Sequence, residues 1–183
     1  TYYALSERII PEPRLGVGFY NGRRFVQARY RRTSQLPNVA WQRVELADNP
    51  VSSNLNSFQP ILADHVNLSA GTFLDPLGAD GSLSLFAQSL SEVPISGAGQ
   101  VILGLETQGD FFAAPAGQTT TARNYGVELT VERKMSRGFY YLLSGTVLES
   151  EYQNLDGEWV NTPWNYDYGF TGSGGWEKSQ ELS

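Results

Sequence analysis

Thr121–Gly157 reads TARNYGVELTVERKMSRGFYYLLSGTVLESEYQNLDG. Two long runs of strand-forming residues flank a short turn at Ser136-Arg137-Gly138. In the first run Tyr125, Val127, Leu129 and Val131 alternate with Gly126, Glu128, Thr130 and Glu132. Successive side chains of a strand point to opposite faces, so this strand has one apolar face and one carboxylate-bearing face. It separates two media. In a sandwich the apolar face meets a protein core. In an outer-membrane barrel it meets lipid, and the polar face lines a wet lumen.

The same alternation recurs along the chain. Arg14–Tyr20 sets Leu15, Val17 and Phe19 against Gly16 and Gly18. Asn21-Gly22, a strong hairpin signal, precedes Arg24–Arg32, where Val26, Ala28 and Tyr30 oppose Gln27, Arg29 and Arg31. Asp64–Leu74 and Ser82–Val93 form a second pair around the turn-forming DPLGADG of Asp75–Gly81. Tyr166–Trp176 is the last strand, with Tyr166, Tyr168 and Phe170 on one face, and Tyr2–Ile10 is a doubtful first one. Seven or eight antiparallel strands are expected. Connections alternate between short (near Asn21, Asp75 and Ser136) and long (33–63, 94–120 and 153–165). This is the pattern of an up-and-down membrane barrel, whose outer loops are large and whose inner turns are tight.

Composition is compatible with that class. Hydrophobic residues make up 40% and charged residues 17%, with ten Tyr, nine Phe and four Trp. The net charge of −6 argues against nucleic-acid binding through a basic surface. The absence of cysteine excludes disulfides, thiol nucleophiles and Cys-based zinc sites. No apolar run reaches the ~20 residues of a spanning helix, but barrel strands need only about 9–11 alternating residues. Thr1–Pro11 shows no leader peptide, so an exported chain is expected here in mature or partial form.

Three segments resemble, in order, the barrels of TonB-dependent outer-membrane receptors of the Bacteroidota type. Glu12-Pro13-Arg14-Leu15-Gly16 and the following Thr33-Ser34-Gln35-Leu36-Pro37 are similar to that family's "EPRLGL" and "HSQLQP". Ala63-Asp64-His65 and Ser89–Ile95 are similar to the openings "AHHFVLGY" and "YQHLYNVPV". Asn124–Gly157, continuing through Asn161-Thr162-Pro163, resembles the C-terminal barrel hairpins of the family and is the most specific match. The resemblance implies that 1–183 is a single β-barrel segment, an all-β, antiparallel, up-and-down transmembrane sheet without plug domain, TonB box or closing C-terminal strand. It implies a share in the uptake of a bulky nutrient (siderophore, glycan or peptide) across the outer membrane of a Gram-negative bacterium. Implied partners are outer-membrane lipid, the remainder of a larger barrel or other polypeptide at the open strand edges, a surface lipoprotein, and TonB only through a plug. No nucleic acid and no cofactor are implied. The alternatives are a free-standing small or engineered β-barrel with a structural or pore role, and a soluble β-sandwich binding module.

No enzymatic constellation emerges. Glu128 with Glu132, and Glu149 with Glu151, lie along single strands rather than across a cleft, so a solvated lumenal face is expected for both pairs. His65 is the one histidine and lacks the neighbours of a metal site or a triad. Gly172-Ser173-Gly174-Gly175 lacks the Lys-Ser/Thr of a phosphate loop. Arg23, Arg24, Arg29, Arg31 and Arg32 form the basic cluster. It reads either as an anion or lipopolysaccharide phosphate site or, preferred here, as a charged lumenal row and a turn at the membrane border.

Lumen-facing candidates are therefore Arg29, Arg31, Glu128, Thr130 and Glu132, and lipid-facing candidates are Tyr125, Val127, Leu129 and Val131. Phe139, Tyr140, Tyr141, Tyr166 and Tyr168 are candidates for interface aromatics. Trp159 and Trp164 are candidates for ligand contact in a loop. No catalytic or metal-binding residue is expected.

Overall fold

The computed structural model describes residues 2–3, 8–35, 59–96, 116–136, 138–163 and 165–177. Strands β3 (Arg14–Asn21), β4 (Arg24–Gln35), β5 (Ile61–Leu74), β6 (Ala79–Ser96), β7 (Ala116–Ser136), β8 (Phe139–Gln153) and β10 (Gly169–Trp176) follow one another as neighbours in a single antiparallel sheet. The short β9 (Trp159–Asn161) also pairs with β8, completing eight strands. β3 pairs with β4 alone and β10 with β8 alone, so the sheet is open at both edges. A small closed barrel is not formed among the described residues.

The turns decide the register. Asn21 pairs with Arg24, leaving Gly22 and Arg23 as a two-residue loop one position later than an Asn-Gly centre. Gly22 has φ +52° while Arg23 does not enter the positive region, the sign pattern of a type II′ hairpin turn with Gly in first position. The β5–β6 connection is a single 3₁₀ turn, Asp75–Leu77, closed by Gly78. The short turns at 22–23, at 75–78 and at Gly138 therefore lie at one end of the sheet, and the connections β4–β5, β6–β7 and β8–β10 leave from the other.

Four expectations change. Tyr2–Ile10 is not a strand of the sheet: β1 (Tyr2–Tyr3) and β2 (Arg8–Ile9) pair only with each other. Pro11 and Pro13 lack the N–H groups needed to continue a ladder into β3. The strands also run further into the long connections than their sequence suggests: 33–35 and 61–63 belong to β4 and β5, and 94–96 and 116–120 to β6 and β7. What lies between, 36–58 and 97–115, is outside the described residues.

The third change is a bulge. Between Leu90↔Ala122 and Val93↔Thr120, β6 spends two residues, Ser91 and Glu92, against one of β7, and Glu92 has φ +59°. One extra residue reverses the alternation. Val93 and Ile95 thereby move to the face that carries Leu90, where both are buried and Val93 packs with Ala122 against Ile61, Leu90 and Tyr152. The fourth is Tyr166–Trp176, whose strand begins only at Gly169, so that Phe170 alone of its three aromatics stands in the sheet.

Candidate functional site: the polar face of the sheet

Register partners define rows that cross the strands. On one face Val17, Ala28, Leu68, Leu85, Val127 and Val147 are successive partners. Flanking rows add Phe19, Val26, Ala70, Leu83 and Leu129 on one side and Leu15, Tyr30, Val66, Ala87 and Tyr125 on the other. Val17 is 74% exposed, Leu68 48%, Leu129 54% and Val147 59%. Tyr125, Val127, Leu129 and Val131 share this apolar face, as their spacing predicts. From Tyr125 to Val131 the band spans six rises of about 3.4 Å, roughly 20 Å along the strand.

The other face is polar and interlocked. Arg14, Arg31, His65, Gln88, Asn124 and Ser150 are successive register partners. His65 Nε2 lies 3.4 Å from both Thr33 Oγ1 and Gln88 Nε2. Asn124 Nδ2 donates to Gln88 Oε1 (2.8 Å), and Ser150 Oγ donates to Asn124 Oδ1 (2.6 Å). Thr162 Oγ1 then donates to Ser150 Oγ (2.8 Å), so one chain of contacts crosses the sheet from β4 to the segment beyond β9. Ser150 and Thr162 are buried, and their hydroxyls and backbone N–H groups are all hydrogen-bonded.

That corner explains why the last strand starts late. The Ser150 N–H donates to Asn165 Oδ1 (2.6 Å), and the Ser150 carbonyl accepts from Thr162 N (2.9 Å). A side-chain amide stands where a strand carbonyl would, so Thr162 and Asn165 stand outside the ladder, which resumes at Gly169. Tyr166 and Tyr168 fall in this exposed excursion. Trp164 lies outside the described residues.

Nearer the short turns, Glu128 accepts from Thr130 Oγ1 (3.1 Å) and Ser144 Oγ (3.5 Å), while Ser84 Oγ donates to Ser69 Oγ (3.1 Å) and Ser69 Oγ to Asn67 Oδ1 (2.6 Å). Glu128, Thr130 and Glu132 thus share the polar face with Arg29 and Arg31. Among the described residues no group of three or more His, Cys, Asp or Glu could hold a metal ion.

Glu149 and Glu151 do not join Glu128. They pair with Tyr125 and Arg123, which puts both on the apolar face, Glu149 in the band's last row and Glu151 just beyond it. The charge of Glu151 is met there: Arg123 Nε donates to Glu151 Oε2 (2.7 Å), and its guanidinium lies 4.0 Å from the Trp159 ring centroid. Trp159 is therefore a β9 residue stacked on Arg123. In the same row Arg32 grips Asp64 with two bonds of 2.8 Å, and Tyr30 Oη adds a third of 2.6 Å. The band is thus bordered at the long-connection end by a charged, aromatic row. At the other end stand Phe139 and Tyr141, with ring centroids 5.7 Å apart. Tyr140 lies on the polar face, opposite Gly175.

The structure also sorts the basic cluster. Arg23 pairs with Asp75 and Arg32 with Asp64, and Arg24 stands at the edge of the apolar face. Arg29 and Arg31 lie on the polar face and are joined there by Arg14, which the sequence does not single out. The row through Gln88, Asn124, Ser150 and Thr162 is likewise not evident from the sequence; its signal is shared parity once the register is known. A groove of about 930 Å³ on this face runs from Arg14 and Arg29 across Asn67, Phe86 and Gln88 to Leu148.

No protein-family model and no curated protein matches the sequence. Among solved structures the chain is similar to one from the complex of FpvAI with pyocin S2, with a TM-score of 0.62 and 15% identity, over 93% of this chain and 21% of that one. This chain thus spans about a fifth of the length of the solved structure it matches. FpvA is a TonB-dependent receptor, whose family is not enzymatic. The eight strands form one open antiparallel meander with the fold of part of a TonB-dependent receptor barrel.

Proposed function

We propose that this chain is wall of an outer-membrane receptor barrel, with its apolar face toward lipid and its polar face toward the lumen through which a bulky nutrient (siderophore, glycan or peptide) is taken up. The observation that carries the reading is the contrast between the faces. One bears a continuous exposed apolar band across six strands, and the other a continuous hydrogen-bonded polar row. In a soluble sandwich the apolar face is the buried one. Lipid supplies that partner for a barrel, whose polar interior stays wet. Strands β4 to β8 have 12, 14, 18, 21 and 15 residues, more than the ~9–11 that cross a bilayer.

The open edges at β3 and β10 support further barrel strands as the immediate partners, since unpaired backbone groups in lipid cost several kcal/mol each. TonB would act through a plug, and a surface lipoprotein would meet the long-connection end. The wall itself does no chemistry.

Paired arginine substitutions test the arrangement. A charge at the lipid-facing midpoint costs about 2–4 kcal/mol, whereas a lumenal one is solvated. Val127→Arg is expected to reduce the folded, heat-modifiable protein in outer membranes, and Thr130→Arg to leave it near the parental level. Equal tolerance of both would remove the membrane assignment.

A further inference from the structure

Arg14 and Arg31 are direct register partners on β3 and β4, and Arg29 lies two residues along on the same face, opposite Gly16. Like charges directly opposed across a strand pair are destabilising. Among the described residues no carboxylate pairs with these three arginines; the ion pairs there are Arg23–Asp75, Arg32–Asp64 and Arg123–Glu151. Glu12, close in sequence, accepts from the Ser34 N–H and hydroxyl. No Asp or Glu lines the groove that these arginines border.

The rest of the groove is complementary in another way. Its far side presents the amides of Gln88 and Asn124, held in the cross-strand chain of hydrogen bonds, and its floor is Phe86 and Leu148. At about 930 Å³ it falls in the ordinary size range of small-molecule sites. An apolar floor, fixed amides and planar cationic forks suit one ligand class: a carbon skeleton carrying two or more anionic groups.

We propose that this groove is a binding site for an organic polyanion, carboxylate- or phosphate-bearing, whose anionic groups bridge Arg14, Arg29 and Arg31. Guanidinium forks match both oxyanions bidentately, and an anion between opposed arginines turns their repulsion into attraction. The site deepens the transport reading, since it rests on the polar face being the lumen. It places a polyanion station on the wall rather than in the outer loops.

The test uses the protein carrying this chain, purified in detergent and titrated calorimetrically with citrate, with fructose 1,6-bisphosphate and with glucose. Saturable binding of one of the two anions, and not of glucose, is expected, and the preferred anion identifies carboxylate or phosphate as the recognised group. Arg31→Gln should weaken binding about tenfold or more, the scale of one charged hydrogen-bonding partner. Arg24→Gln, at the edge of the opposite face, should leave it unchanged. Without ligand, Arg31→Gln should melt at a higher temperature than the parent, because it removes an opposed like charge, and the anion should no longer raise that temperature. Arg14→Gln, at the other member of the opposed pair, supplies the same measurements should Arg31→Gln not fold. Failure of both anions to bind saturably, equal weakening by Arg24→Gln and Arg31→Gln, or a lower ligand-free melting temperature for the polar-face variants would overturn the site. These outcomes are separate from the arginine scan at Val127 and Thr130, which reads the membrane arrangement whatever the groove binds.

Discussion

Phe86 of β6 lies across Gly126 of β7, its direct register partner, so closely that a Cβ on Gly126 would stand 2.6 Å from the Phe86 Cζ. Phe25 covers Gly71, and Tyr140 covers Gly175, in the same relation, again between register partners on the polar face. An aromatic ring laid over a neighbouring glycine shields backbone that has no side chain of its own and lets the strands bend toward that face. Gly126→Ala is therefore expected to destabilise by about 1–3 kcal/mol through overpacking. Phe86→Ala together with Gly126→Ala should cost less than the sum of the two single changes, since removing the ring relieves one of the new methyl group's two close contacts, the other being the Val147 carbonyl. Thermal unfolding of the four proteins in detergent reads the coupling. Strict additivity would mean that the ring and the glycine do not meet.

The corner at Ser150 gives a prediction at a single amide. The Ser150 N–H is satisfied by Asn165 Oδ1 and by no strand carbonyl. Asn165→Ala leaves a buried donor unpaired, at a cost of about 1–3 kcal/mol. Hydrogen exchange should then accelerate at Ser150 while amides in the middle of β6 and β7 keep their protection. Unchanged exchange at Ser150 would show that water or another group takes the place of Asn165.

These two features also mark where the sequence stops being legible. The alternations around Val127, Leu68 and Val17 name the strands and their faces, because a period of two survives as long as the ladder is regular. It fails where the ladder is not. The extra residue at Ser91–Glu92 swings Val93 and Ile95 onto the opposite face and buries them, whereas unbroken alternation through Ser82–Val93 keeps Val93 on the face of Leu83 and Leu85. Asn165 breaks the last strand through its side chain, which stranded Tyr166 and Tyr168 outside the sheet. Glu149 and Glu151 looked like the companions of Glu128, but hairpin register joins odd residues of β7 to odd residues of β8 and sets them opposite Tyr125 and Arg123. Arg14 passed unnoticed because its importance lies in facing Arg31, a relation fixed by the turn at Gly22–Arg23.

The proposed orientation predicts which end of the sheet faces the medium. Leu77, in the turn after β5, and Leu155, in the connection after β8, are each 50% exposed and lie at opposite ends. The chain has no cysteine to interfere. On intact cells a membrane-impermeant maleimide should modify Leu155→Cys and spare Leu77→Cys, and after lysis it should modify both. Labelling of Leu77→Cys from outside would invert the topology, and equal labelling of the two would contradict a spanning sheet.

The open edges lead to the last expectation. Leu15, Val17 and Phe19 of β3 are 68%, 74% and 68% exposed, and Phe170 and Trp176 of β10 are 75% and 81% exposed, the highest values in the sheet's apolar residues. Among the described residues each edge strand has one side of its backbone without a partner strand. In lipid such groups cannot turn to water, so the strands must gain neighbours. The small polar-face residues along the edges, Gly16, Gly18, Gly169 and Gly175, offer little volume to fill a narrow barrel closed upon itself. Amide exchange measured by mass spectrometry on this chain expressed alone in detergent should therefore be fast throughout β3 and β10 and slow in β5, β6 and β7. In a longer protein that supplies flanking barrel strands, the β3 and β10 amides should become as protected as those of β6. Protection of β3 in the isolated chain would mean that its edges find each other, and a small closed barrel would then replace the open wall.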